Sequence, residues 1–269
     1  MLDNDDRDDG LASCLVHDFS LVENLQKELA NLIFYFEVHR SAQKENDRTA
    51  ALFAIIRAGA LALKLSAFFE GIEEAIRNMM NWDPSFSWPS VPEEYRIPDH
   101  FFMVAADKLS CMAEPGIAAN RNVLMFWESA EGDIEVLEKD SVDLIRNTFI
   151  ALAESIGVSR EKMNSEMDER GRFEWCIDYR YSLGEQLKND LDELLRFFEI
   201  LRLALQKRDH SAASVALLYC RIHSQNAAGF FLNIKDEVDR VAVLDKRFSW
   251  PCIPDGYELP KHFGLSPHS

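Results

Sequence analysis

Leu25, Leu29, Leu32 and Phe36 follow one another in steps of four, three and four residues, which places them on one face of a helix. Leu187, Leu191, Leu194 and Phe198 repeat those steps at an offset of 162. Ahead of each stripe stands a serine followed three residues later by a glutamate, Ser20–Glu23 and Ser182–Glu185. In such a box the serine oxygen accepts an early backbone N–H while the glutamate reaches back, so two helix starts are predicted. Asp47 and Asp209 precede a second periodic run in each half and read as N-caps. These runs open on Ala50, Ala51 and Ala54 against Ala212, Ala213 and Ala216, residues small enough to let a neighbouring helix come close. Further on, Phe68, Phe69 and Ile72 pair with Phe230, Phe231 and Ile234 as predicted core.

The helical patterning stops where proline begins. Eight of the nine prolines fall within 84–98 or 251–267, and only Pro115 stands elsewhere. An interior proline costs a helix about 3 kcal/mol, so these two segments run extended while the proline-free stretches are open to helix. They are also the most alike parts of the chain. Residues 86–101 and 248–263 share nine of sixteen positions, in the pattern Trp-Pro-x-x-Pro-x-x-Tyr-x-x-Pro-x-His-Phe. The match extends back without a gap to Cys14 and Cys176, with 28 of 88 paired positions identical. The chain therefore reads as a tandem duplication, 14–101 and 176–263, of two helices and an extended strap lying across them.

Residues 102–175 have no counterpart and form a spacer. Asp99 predicts the start of a helix through Met112, closed by Glu114-Pro115-Gly116, and Val142–Ile156 is periodic up to Gly157. Between them, 122–138 reads equally as a short β-hairpin or as a kinked helix. Residues 1–13, with five aspartates inside 3–9, read as a disordered acidic tail, and 264–269 as a second tail. The expected fold is mainly α, with two repeat units and a helical spacer in one continuous globular body.

Charge narrows the choice of partner. Forty-six acids against 29 bases give a net charge of −17, a field that repels nucleic acid and anionic membrane and favours a basic protein. The densest acids sit in the spacer, where Glu128, Glu131, Asp133, Glu135, Glu138, Asp140 and Asp143 enclose one base, Lys139. They are the candidate partner-binding residues. The most apolar run, Ala50–Phe69, is interrupted by Arg57 and Lys64, and its counterpart carries Arg221 and His223; both read as core helices rather than membrane spans. The first ten residues lack the basic and apolar regions of a secretory signal, and five scattered cysteines suit a reducing compartment. A cytoplasmic setting is expected.

Familiar catalytic signatures are missing: no glycine-rich phosphate loop, no His-Glu-x-x-His, no Gly-x-Ser-x-Gly, no Cys-x-x-Cys. None of the seven histidines has a carboxylate three residues before it, as a di-iron bundle requires. No catalytic residue, metal or cofactor is expected. Some polar residues recur in both halves. Glu37 with Arg40 and Glu199 with Arg202 read as i,i+3 ion pairs that orient helices, or as a grip on a ligand. His100 and His262, each ahead of a phenylalanine, read as packed or capping, and Cys14 and Cys176 as small buried residues. The Pro-x-x-Pro spacings belong to the straps rather than to a ligand for polyproline-binding domains.

The expectation is a non-enzymatic acidic protein that sequesters or inhibits a basic partner, comparable in size and charge to bacterial immunity proteins that block toxins. Two alternatives stand beside it: a helical enzyme, nuclease or hydrolase, with its site at the repeat interface, and a helical-repeat adaptor.

Overall fold

The computed structural model describes residues 19–81, 88–113, 139–165, 167 and 174–264. These are mainly helical, in seven α-helices: α1 (Phe19–Lys44), α2 (Arg48–Asn81), α3 (Asp99–Ala113), α4 (Lys139–Ser155), α5 (Arg160–Met163), α6 (Leu183–Gln206) and α7 (His210–Asp239). A π-helical turn, Arg240–Leu244, continues α7, and a 3-10 turn covers Lys261–Phe263. The stretch 122–138 lies outside the described residues, as do the acidic tail 1–13 and Cys14.

Both helical hairpins are built by the same local chemistry. The Asp47 carboxylate accepts the Ala50 N–H at 2.9 Å, and that of Asp209 accepts the Ala212 N–H at 3.0 Å. At the turns, the Asp47 N–H donates to the Ala42 carbonyl and the Asp209 N–H to that of Ala204, each at 2.9 Å. Asn46 and Arg208 take left-handed φ angles of 59° and 56° there, which lets the exposed carbonyls at each helix end find donors. Ser182 caps α6 by accepting the Glu185 N–H at 3.1 Å. Asp143 adds a second cap, taking the Leu183 N–H at 2.7 Å and that of Gly184 at 3.4 Å. Helix α1 begins at Phe19, one residue ahead of the serine expected to cap it.

Contacts gather the chain into two compact units, and neither is a contiguous piece of sequence. Unit 1 takes 1–25, 69–136 and 189–226; unit 2 takes 26–68, 137–188 and 227–269. In unit 2 the predicted stripe is buried, with Leu29, Leu32 and Phe36 at 1% exposure or less. Phe36 meets Phe149 of α4 edge-on at 5.5 Å. Helices α2 and α7 come so close here that a Cβ on Gly59 would stand 2.7 Å from Val238 Cγ1. In unit 1, Phe69, Phe101, Ile200, Leu201, Ala212, Ala213 and Ala216 are buried. There the same two helices are joined by Arg221 of α7, which donates to Glu73 of α2 at 2.7 Å. Among the described residues α2 is long and apolar enough to cross a membrane by length and composition, and half of its apolar stretch is buried inside the protein.

The straps were expected across their own helix pairs; among the described residues each also meets the hairpin turn of the other half. In unit 2 the second strap covers the turn of the first hairpin: Trp250, Leu259 and Phe263 pack on Ala42, Ala50 and Ala51. In unit 1 the first strap meets the turn of the second hairpin, where the Lys207 ammonium sits 5.0 Å over the Phe101 ring. Helix length explains the difference. With 34 residues, α2 spans roughly 50 Å, so its strap departs far from the turn at which α2 began. Each strap is bonded to the helix it leaves, through Trp88 Nε1 to the Met79 carbonyl at 3.0 Å and Trp250 Nε1 to that of Val241 at 2.7 Å.

The segment entering α6 is irregular, with bends and a turn at Tyr179–Arg180, and side chains satisfy its backbone. Asn164 accepts the Tyr179 N–H at 2.9 Å, Arg160 donates to the Tyr179 carbonyl at 3.1 Å, and Arg146 donates to that of Tyr181 at 2.8 Å. The N–H groups of Cys176 and Ile177 donate to Glu237 Oε1. Alternation along this segment turns Trp175, Ile177 and Tyr179 inward. Cys176 accordingly faces out and is exposed, contrary to the buried place its composition suggested.

Candidate functional site

Comparing the two halves position by position singles out one face of α6 and α7 in unit 1. Glu28 accepts from Lys64 at 2.6 Å; at the equivalent positions, Asp190 accepts from Asn226 at 2.9 Å. The second half then departs from the first. Where the first has Leu61, the second has His223, whose Nδ1 lies 3.0 Å from the same Asp190 oxygen. Where Arg57 lies 5.9 Å over the Tyr35 ring, Tyr219 instead stacks on Phe197, with centroids 4.4 Å apart and planes within 10°. His223 stacks on the same Phe197 ring at 5.9 Å.

Helical spacing explains the assembly. Asp190, Glu193 and Phe197 fall on one face of α6, and Leu218, Tyr219, Ile222, His223 and Asn226 on one face of α7. Leu218 and Tyr219 are each 41% exposed and Ile222 is 38% exposed, so the face carries an apolar and aromatic surface to solvent. Phe197 is buried beneath it and meets Phe102 of α3 edge-on at 6.1 Å. Tyr219 is thereby held flat before anything binds. An Asp190 carboxylate facing Nδ1 favours the tautomer with its proton on that nitrogen, which leaves Nε2 as an acceptor.

Of the residues singled out by sequence, Glu199 and Arg202 do pair, through two hydrogen bonds at 2.8 and 2.6 Å, and Lys108 of α3 joins at 3.0 Å. Burial works against ionisation of Glu199, but Arg202 and Lys108 together hold its carboxyl below the usual range. The three tie α3 to α6. Glu37 and Arg40, their counterparts, are both exposed on α1. His262 lies 3.0 Å from Glu45, and both His100 and His262 rest against the following phenylalanine, at 4.2 and 4.1 Å between ring centroids. Asp143 is committed to the start of α6, as described above. Glu128, Glu131, Asp133, Glu135 and Glu138 lie outside the described residues, as does the side chain of Asp140. Among the described residues no group of three or more His, Cys, Asp and Glu side chains is placed to hold a metal ion.

Asp190, Phe197, Tyr219 and His223 were not singled out by sequence. The signal was there: positions 61 and 57 change character in the second half while the acid at 28 and 190 persists. Without the fold, however, nothing linked residues 33 apart.

Residues 145–252 match a family of unknown function (DUF6853). The matched stretch holds α6, α7 and the whole face just described. No curated protein and no solved structure matches the chain.

Proposed function

We propose that this protein is a tandem duplication of a helix pair and a strap, and that it acts as a non-catalytic binding protein for a basic protein partner. Its contact surface is the outward face of α7, and the carboxylates of the spacer steer the partner in. The observation that carries this reading is Tyr219, exposed yet stacked on buried Phe197 between Leu218 and Ile222. A tyrosine already fixed in place loses little freedom on binding, and such residues dominate interface energetics. Asp190 borders it with a carboxylate, in keeping with the net −17. The cytoplasmic setting and the comparison with immunity proteins belong to this same proposal.

The test compares wild type with Tyr219→Ala and Ile222→Asp. Each is purified at low salt from the native cells, and what elutes as salt rises is identified. One basic protein in stoichiometric amount is expected with wild type only, and its association rate should fall steeply with salt. A partner retained equally by both variants would overturn the assignment of the face.

A second reading has its own observation, the Asp190–His223 pair. An imidazole oriented by a carboxylate is the arrangement of a general base. On that reading His223→Gln abolishes a hydrolytic activity while leaving helical circular dichroism unchanged.

A further inference from the structure

In unit 2 the seat of the second strap is a specific one. Arg48 donates to the Ser249 carbonyl, and its guanidinium lies 5.8 Å over the Trp250 ring. Tyr257 packs at 5.3 Å from Phe53, and Phe263 reaches the buried Ala42, Ala50 and Ala51. Unit 1 repeats the scheme with the roles of the halves exchanged. Phe101 lies under Lys207, and the alanines at the equivalent places, Ala204, Ala212 and Ala213, are again fully buried. In each seat the strap tyrosine lies near the N-cap of the other half, Tyr95 by Asp209 and Tyr257 by Asp47. Taking the halves as copies, one chain carries two donors and two acceptors of a single type.

The seat of the second strap is shallow. No residue of 248–263 is fully buried, and beside Trp250 an open groove of about 640 Å³ remains between Glu45, Asp47, Arg48 and Ser249. The strap is reached through the π-helical turn Arg240–Leu244, with Val243 58% and Leu244 67% exposed. A strap without a fully buried residue, hung from an irregular turn, is the part of the unit expected to open first.

We propose that the alanine-lined turn of each helix pair is a receptor for strap-type peptides, and that its partner in trans is the strap of a second copy of this chain. Exchange re-forms the same contacts, so only the geometry of the connecting turn and the effective concentration of the tethered strap decide between closing within one chain and between two. Because the straps share Trp, Tyr, His, Phe and three prolines, the first hairpin accepts either one.

The test uses the full chain carrying Trp250→Ala, Tyr257→Ala and Phe263→Ala, which removes the anchors of the second strap. Fluorescent peptides of residues 246–264 and 84–102 are titrated in, with a scrambled peptide as control. Both strap peptides should raise the anisotropy and saturate at one per chain, and the scrambled one should not. If helical circular dichroism is lost in the triple variant, Trp250→Ala alone carries the same titration. No binding to a folded variant, or equal binding of the scrambled peptide, overturns the receptor. Wild type should also form dimers by light scattering as concentration rises. A monomer at every concentration overturns exchange between chains, even where the peptides bind.

Discussion

Glu237 and His39 are buried ionisable groups of unit 2, each at 0% exposure, and burial disfavours the charged form of both. For Glu237, burial outweighs the two backbone N–H groups and Arg240, and pushes the carboxyl up to about 7 from 4.5. Between those values the folded chain holds a proton that the unfolded chain has released, so stability falls as pH rises through that window. Glu237→Gln keeps an acceptor for Cys176 and Ile177 without the charge. Its urea midpoint should change less between about pH 5 and about pH 8 than that of wild type, with a difference on the order of 3 kcal/mol at most. His39 has the opposite sign. Its Nδ1 engages the Ala51 carbonyl at 2.8 Å, Nε2 has no hydrogen-bond partner, and burial lowers its pKa from 6.5. Stability is therefore lost as pH falls below about 6.5, where the unfolded imidazole takes up its proton first. Leu201 fills the equivalent place in the other half, also at 0% exposure. His39→Leu should flatten the acid side of the stability profile, read from thermal midpoints across that range. Neither group stood out in the sequence, because a lone acid or histidine on a helix gives no sign of which face it occupies.

Helix starts and stops were the most legible elements, since their chemistry is local. Asp47, Asp209 and Ser182 cap where the sequence placed them, and Gly157, at φ 81°, follows the end of α4 as its spacing required. The straps were legible as extended segments but not in their destination, which the lengths of α2 and α7 determine. Contact between distant helices was still less accessible. Gly59 and Arg221 are equivalent positions, yet one admits Val238 against bare backbone while the other reaches Glu73 with a guanidinium. Gly59→Val would press a branched side chain against Val238, whose neighbours Ile234 and Val241 are themselves buried. Overpacking of this kind costs about 1–3 kcal/mol, and helical propensity offsets only part of it. The expected result is a lower urea midpoint with unchanged slope; a neutral Gly59→Val would mean that the two helices are free to separate.

At the scale of the molecule, the sequence conveyed helical class, repetition and charge, but not which stretches of the two halves gather into each unit. The Asp190–His223 face lies within one helix pair, α6 and α7, backed by Phe102 of α3, and only the packing of those helices brings its residues together. The acidic run 128–138 contributes charge that composition alone makes visible. One consequence concerns the order in which the chain is made. Unit 1 is complete only with 189–226, and unit 2 only with 227–269. On the ribosome, the first hairpin and its strap are thus exposed while more than half of the chain is still to emerge. Stalled nascent chains ending before residue 189 should be cleaved readily by protease throughout 26–101, and released full-length chains should resist. During that interval the early alanine seat lacks the strap that covers it in the finished chain, and a chaperone that shields apolar surface would find its natural client there.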